Sequence, residues 1–420
     1  MFTFIHAADI HLDSPMHKLE AYDGAPVEEF RLSTRRAFEN LVELALGQKV
    51  SFVLISGDLY DGDWKDYNTG LYFINQMVRL QKAGIRVFVT AGNHDAASTI
   101  TRSLRMPDNV TLFAANRAET ATMDDPAVAI HGRSFTAPAE KYDLSADYPA
   151  PLPGRFNIGM LHTCATGRPG HEAYAPCSPA RLAQTGYQYW ALGHVHDHEV
   201  LNREPFIVFP GNTQGRHIRE AGPKGCVLVT VTDSTDIDLA FTPTDVVRWC
   251  LISVDAGGSH DAREVISAFA GQLETVISEN NAMPLAVRVE INGETKAAGE
   301  LAADPERWTG EIRAAAIETG AGRVWVEKIR FFCRLPETID HPPSGGAMEE
   351  LVSLFEDLAD DPEARTALGS ELSDFCRKLP IELRHGPDGI KCDDPDWIKD
   401  LLEHVQPELM GRLMGKGEKS

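Results

Sequence analysis

The hydrophobic positions of this chain change period along its length, and the changes divide it. Residues 2–6, Phe-Thr-Phe-Ile-His, alternate and predict a first strand that delivers Asp9 and His11 to its end. Phe30, Ala37, Leu41, Leu44 and Ala45 then recur at helical spacing over 27–47. Residues 52–55 are continuously apolar, as in a strand covered on both faces, and the run stops at Ser56-Gly57-Asp58. A helix over 67–83, with Leu71, Ile74, Val78 and Leu80 on one stripe, leads through Gly84 into a strand at 85–90. That strand ends in Ala91-Gly92-Asn93-His94-Asp95. Strand and helix therefore alternate as in βαβ units.

Beyond residue 107 short strands dominate, at 110–113, 127–131, 156–162, 189–192, 206–209 and 226–231, between Pro- and Gly-rich loops such as 149–154. Residues 1–245 thus read as a layered α/β domain with two sheets. The pattern then changes. A strand at 248–254 precedes a helix over 261–279, which carries an Asp261/Glu264 capping signature and turns Val265, Ile266, Phe269, Leu273, Val276 and Ile277 inward. An alternating strand at 285–291, a helix begun by Asp304-Pro305 and a strand at 324–332 complete a small β-α-β-α-β module over 246–335. His341-Pro-Pro-Ser-Gly-Gly346 reads as a linker. Residues 336–420 then carry three helical stripes, through Leu351, Leu354 and Phe355, through Leu368, Leu372 and Phe375, and through Ile398, Leu401, Leu402 and Val405, with a kink expected at Pro407.

Composition adjusts this picture in three ways. A length of 420 residues exceeds one compact core, in line with several domains. No apolar run approaches the ~20 residues of a membrane helix, and the N-terminus shows no basic leader followed by an apolar core, so no signal peptide is expected. Seven cysteines without a CxxC pair fit buried or incidental thiols in a reducing, cytoplasmic setting. The net charge of −22 argues against a non-specific nucleic-acid coat but not against a nuclease, where bound cations and a local basic patch reverse the sign. Half of that excess sits in residues 336–420, which makes the C-terminal helices acidic outside their apolar stripes.

Candidate chemistry gathers at the strand ends: Asp9-x-His11, Gly57-Asp58-x-x-Asp61, Gly92-Asn93-His94-Asp95, Leu161-His162 and Gly193-His194-Val195-His196. Carboxylates, imidazoles and a carboxamide oxygen are the mixed oxygen and nitrogen donors that bind manganese, iron or zinc. A lone D-x-H is noise, and a lone Leu-His is usually a satisfied core histidine. All five in this order, each after a strand-like run, are specific.

These motifs resemble those of the calcineurin-type metallophosphoesterases, and within them the SbcD/YhaO-type DNA repair exonucleases. The resemblance extends to Ala7-Ala8-Asp9-Ile10-His11-Leu12-Asp13-Ser14-Pro15, to residues 187–196, and to Pro210-Gly-Asn-Thr-Gln-Gly-Arg-His-Ile-Arg-Glu220. It covers residues 1–245 closely, and the 246–335 module only in outline as a capping domain. It implies a four-layer αββα metallophosphoesterase sandwich with a small α/β capping domain and a C-terminal helical segment. Asp9, His11 and His196 would hold one divalent metal and Asn93, His162 and His194 a second, with Asp58 shared. Manganese is the expected ion, with iron and zinc as alternatives. One shared carboxylate suits a two-metal site, where coordination brings water into the nucleophilic range near a pKa of about 7. His94 would serve the leaving oxygen as proton donor or charge stabiliser. Asp61, where some relatives have histidine, and Asp95 would stand behind the ligands.

The implied activity is a DNA exonuclease, with endonuclease action as an extension, working at DNA ends with an SbcC- or YhaN-like SMC-type ATPase. A homodimer is a further family expectation. Two other classes stay in view: a phosphatase or cyclic phosphodiesterase on small esters, and a scaffold subunit without activity. Arg203, Arg216, His217, Arg219 and Lys224 form a basic cluster that reads either as a phosphate-backbone contact or as ion pairs with Glu204 and Glu220. Arg31, Arg35 and Arg36 are weaker candidates for the same contact. His6, His17, His131, His171, His198 and His260 lack motif partners and read as core, surface or hydrogen-bonding residues. The C-terminal stripes read either as an ordinary helical subdomain or as a partner-binding face.

Overall fold

The structure is a computed structural model that describes residues 1–14, 27–61, 67–97, 105–165, 174–233, 236–336, 347–379 and 390–415. His17, His171, the 341–346 linker and the side chain of Arg31 lie outside the described residues. The chain divides into two compact units, Met1–Cys250 with Met283–Ala286, and Leu251–Ala282 with Val287–Ser420.

The first unit begins with β1 (Phe2–Ala7), α1 (Val27–Gln48), β2 (Phe52–Ser56), α2 (Tyr67–Lys82), β3 (Arg86–Thr90), α3 (Asn93–Ala97) and β4 (Val110–Leu112). It continues through β5 (Glu119–Met123), β6 (Val128–Gly132), β7 (Phe156–His162), α4 (Pro179–Ala183), β8 (Tyr189–Gly193), β9 (Glu199–Arg203), β10 (Phe206–Phe209), β11 (Gly225–Val231) and β12 (Ile237–Pro243). One six-stranded sheet has the order β12-β11-β1-β2-β3-β4, and the other β5-β6-β7-β8-β10-β9. β1 through β4 are parallel, as are β6, β7, β8 and β10.

The two-residue period of each strand sorts side chains between layers. Phe4, Phe52, Leu54 and Phe88 face inward and meet Ile130, Ile158, Met160 and Tyr189 of the second sheet. The Phe4 and Phe52 rings stack with centroids 4.9 Å apart. On the opposite face, Ile5, Val53, Ile55 and Val87 meet Phe38, Leu41 and Val42 of α1 and Phe73, Met77 and Leu80 of α2. The outer face of the second sheet, through Leu161, Trp190, Leu192 and Phe209, packs on Leu182 of α4 and on Phe135, Leu144 and Tyr187. The result is an αββα sandwich whose fourth layer, among the described residues, is built from α4, the 3-10 turn Leu144–Asp147 and neighbouring loops.

Both sheets bring the carboxyl ends of parallel strands to one edge. There Ser56 Oγ donates to the Ala191 carbonyl at 3.0 Å, and His162 Nδ1 donates to the Ser56 carbonyl at 3.0 Å. β5, β9 and β12 are absent from the predicted elements. All three are sheet edges of half-exposed residues, so a buried apolar run never forms there.

The second unit carries most of a three-stranded sheet, ordered β13-β14-β15, from β13 (Arg248–Asp255), β14 (Leu285–Glu294) and β15 (Val324–Arg334). Its helices are α5 (Ala262–Glu279), α6 (Ala298–Ala303) and α7 (Pro305–Gly320). The caps form as the sequence suggests: Asp261 accepts from the Arg263 and Glu264 amides, and Asp304 from the Arg307 amide at 3.2 Å. Glu264 reaches back to the His260 amide at 2.8 Å. Phe269 and Leu273 of α5 and Trp308 and Ile312 of α7 are buried. Among the described residues three further helices follow, α8 (Ala347–Asp360), α9 (Pro362–Lys378) and α10 (Pro395–Gly415), the last running past Pro407 without interruption.

The cysteines depart from the sequence reading in one place. Cys376 and Cys392, 16 positions apart, are joined as a disulfide at the end of α9 and just ahead of α10, whereas Cys164, Cys177, Cys226 and Cys333 are buried thiols. Their spacing of 16 is not a CxxC pair, so no short motif announces them. Among the described residues no helix is long and apolar enough to cross a membrane.

Candidate metal centre

The strand-tip residues sit on unusual backbone. Asp9, His11 and Asp58 have φ of 50°, 47° and 49°, and His194 has 101°, values that L-residues rarely adopt. Such conformations cost of order 1–3 kcal/mol each and gather at functional sites. Close packing holds them. The Asp9 and His11 amides donate to the Gly57 and Asp58 carbonyls, each at 3.0 Å. A Cβ on Gly92 would stand 2.3 Å from Asp58 Oδ1, one on Gly57 2.2 Å from His162 Nδ1, and one on Gly193 1.8 Å from the Ser56 carbonyl oxygen. Glycine at these tips is what lets two sheets converge on one carboxylate.

Among the described residues three sets of ligand atoms, each set within 4.8 Å of one another, meet here: Asp9, His11 and His196; His11, Asp58 and His94; and Asp9, Asp58 and His162. Asn93 Oδ1 lies 3.0 Å from His162 Nε2, and the His194 ring centroid lies 5.1 Å from that of His162. The seven residues predicted as ligands therefore come to one place.

Their electrostatics call for positive charge. His162 is fully buried and donates from Nδ1 to a carbonyl, which in a neutral ring leaves Nε2 as a lone pair facing two more acceptors, Asn93 Oδ1 and Asp58 Oδ2 at 3.4 Å. Burial lowers the His162 pKa, but the Asp58 carboxylate outweighs it and pushes the value up to about 9. Asp58 moves oppositely: burial would raise its pKa, yet the facing His162 holds it well below the usual carboxylate range. His11 is also fully buried, is driven down to about 3 chiefly by burial, and has no hydrogen-bond partner at either ring nitrogen among the described residues. A neutral imidazole with an orphaned lone pair, beside converging carboxylates, fits a divalent cation.

His94 is partly exposed. Its amide donates to Asp58 Oδ1 at 3.0 Å and its Nδ1 lies 2.7 Å from Asp61 Oδ1. Burial would lower its pKa, but the hydrogen bond to Asp61 and the nearby Asp58 charge outweigh that, so the ring is held above its ordinary value. Asp61 also accepts from Ser14 Oγ at 2.5 Å and lies 3.6 Å from Arg216 Nη1. Asp95 accepts the amides of Leu59, Tyr60 and Gly92, tying the second and third strand tips together.

The basic cluster separates. Arg216 is largely buried against Glu220 at 3.0 Å, and Lys224, with a side chain 4% exposed, donates to Asp197 at 2.7 Å and to the His196 carbonyl at 2.9 Å. His217 is partly exposed, 3.5 Å from Glu220, while Arg203 on β9 and Arg219 are exposed. Arg35 forms a two-point ion pair with Asp13. The other buried histidines are satisfied: His6 pairs with the Tyr189 hydroxyl and the Leu192 carbonyl, and His131 with Thr120 and Asn157. His198 Nδ1 donates to the Phe209 carbonyl, and the His260 amide donates to the Glu264 carboxylate at 2.8 Å. The sequence reading gave Glu220 no part in the centre. Its nearest signal was membership of the 210–220 segment, where it looked like one half of a surface ion pair.

Comparison with known proteins agrees with this geometry. Residues 2–198 match the family described as calcineurin-like phosphoesterase, and residues 249–334 match the family described as metallophosphoesterase YhaO, middle domain. The chain is 34% identical over 297 residues to the "uncharacterized metallophosphoesterase YhaO" of Bacillus subtilis, covering 69% of this chain and 72% of that one. It is 26% identical over 348 residues to "DNA double-strand break repair protein Mre11" of Methanopyrus kandleri, covering 77% and 69%. The protein of the same name in Methanosarcina mazei is 23% identical over 360 residues, covering 83% of this chain and 54% of that one. Calcineurin-like phosphoesterases use divalent metals, and the convergent acceptors at these strand tips have the donor set for them. The chain belongs to the calcineurin-like metallophosphoesterases, as a member of the YhaO type.

Proposed function

We propose that this chain is a two-metal-dependent DNA exonuclease that hydrolyses phosphodiester bonds at DNA ends in double-strand-break repair. The observation that carries the reading is the overlap of the three ligand sets, in which Asp9, His11 and Asp58 each belong to two. The names of the two archaeal relatives support DNA as substrate. Asp9, His11 and His196 would hold one ion, Asn93, His162 and His194 the other, and Asp58 both. Manganese suits this mixture of oxygen and nitrogen donors, with iron or zinc as alternatives. Bound ions would supply Lewis-acid polarisation of the phosphate and activation of water. The chain's own residues do the rest. His94 keeps its Nδ1 proton on Asp61, which leaves Nε2 for the leaving oxygen. Arg203, His217 and Arg219 keep enough exposure to meet a phosphate backbone, whereas Arg216 and Lys224 are committed to buried carboxylate and carbonyl partners.

The reading includes association with an SMC-type ATPase through the C-terminal helices, where Leu354, Phe375 and Val405 are exposed. Deleting residues 347–420 should weaken that association, and unchanged association would remove this part. The central test is degradation of end-labelled double- and single-stranded DNA with manganese, run beside p-nitrophenyl phosphate esters. DNA left intact by a wild-type chain that hydrolyses the esters would replace the nuclease by a small-ester phosphoesterase.

A further inference from the structure

We propose that Glu220 is a positioning residue for the metal centre, fixing the imidazole of His196 so that Nε2 is its metal-facing atom; this rests on the metal-binding reading above. Glu220 is 3% exposed, and its two oxygens meet a ring of donors. Oε1 accepts from His196 Nδ1 at 2.7 Å and from Arg216 Nη2 at 3.0 Å. Oε2 accepts from Asn212 Nδ2 at 2.9 Å, from the Arg216 amide at 2.7 Å and from Arg216 Nε at 3.4 Å. A carboxylate has no proton to offer, so the short contact to His196 requires the proton on Nδ1. Nε2 is then the lone pair, and it lies 3.8 Å from Asp9 Oδ1.

The same carboxylate anchors the loop beneath the site. Asn212 bridges to Ala8, the residue before Asp9, and its amide donates to the His196 carbonyl at 3.3 Å. Glu220 therefore braces two strand-tip segments at once. Arg216 links it to Asp61 at 3.6 Å, and Asp61 holds His94. A carboxamide could not replace Glu220, because its NH2 would have to face donors on one side or the other.

The test is a cycle of Glu220→Gln and His196→Ala on the full chain, with manganese affinity read by calorimetry. Orienting partners of metal-bound histidines typically contribute 10–100-fold in affinity, so Glu220→Gln should weaken manganese binding by about that factor. In the His196→Ala background the same change should matter by less than about twofold, since the group it orients is gone. An equal loss in both backgrounds would mean that Glu220 acts through the fold, and overturns the proposal, as does unchanged affinity in Glu220→Gln alone. Glu220→Asp, which keeps the charge opposite Arg216, takes the place of the Gln variant if that one fails to fold. A wild-type chain that binds no divalent metal overturns the metal reading itself and this proposal with it.

Discussion

His196 stands between two clusters of buried charge that are built in opposite ways. On its Nε2 side, Asp9, Asp58, Asn93, His11 and His162 bring together acceptors with too few donors. On its Nδ1 side, Glu220 is surrounded by donors from His196, Arg216 and Asn212. Both are equally removed from water, so burial alone does not tell them apart. A buried acceptor without a donor costs free energy unless a cation arrives, whereas a buried carboxylate with donors on each oxygen is a rigid brace. The pKa directions follow: His162 is pushed up to about 9 on the first side, and Glu220 is held far below the usual carboxylate range on the second, where burial is outweighed chiefly by Arg216.

Breaking the unsatisfied side should have the largest effect. Asp58→Asn removes the charge common to two ligand sets and should lower hydrolysis of bis(p-nitrophenyl) phosphate by on the order of 10³-fold or more. Residual turnover within tenfold of wild type would take Asp58 out of the centre. His94→Ala should lower turnover by about 10²–10³-fold while metal stoichiometry stays the same, as expected of a proton donor. Loss of a bound metal in that variant would instead make His94 a ligand, which its place beside His11 and Asp58 makes a sharp distinction. Gly92→Ala would drive a methyl group to 2.3 Å from Asp58 Oδ1 and should cost about 10²-fold in turnover through displaced geometry. A wild-type rate there would show that the first and second sheets' tips have more slack than their packing suggests.

The smallest effect belongs to a buried histidine whose needs are met. His131→Phe removes partners from Thr120 and Asn157 and should destabilise the fold by about 1–3 kcal/mol in urea denaturation, with manganese affinity unchanged. A change in affinity would break the division between satisfied and unsatisfied histidines.

Much of the fold is legible in sequence. Phe52 to Ile55 and Val87 to Val89 are apolar runs, and Phe156 to Leu161 is one apart from Asn157; they lead into glycine, carboxylate or histidine, and each becomes an interior strand with its chemistry at the tip. Edge strands such as Glu119–Met123 and Glu199–Arg203 were not legible, because half-exposed residues carry no continuous apolar signal. Within the site, the ligand candidates were visible as motifs. The role of Glu220, the burial of Lys224 and the two-point pairing of Arg35 with Asp13 were not, because each depends on which distant group is a donor.

The sequence by itself determined which side chains stand at the strand tips, since apolar runs fix where strands stop and glycine fixes how the chain leaves them. Tertiary structure alone decided which of those side chains are satisfied. The partners of His162 lie 106 and 69 positions away and that of His196 lies 24 away, so the balance of donors and acceptors exists only once two sheets meet at one edge.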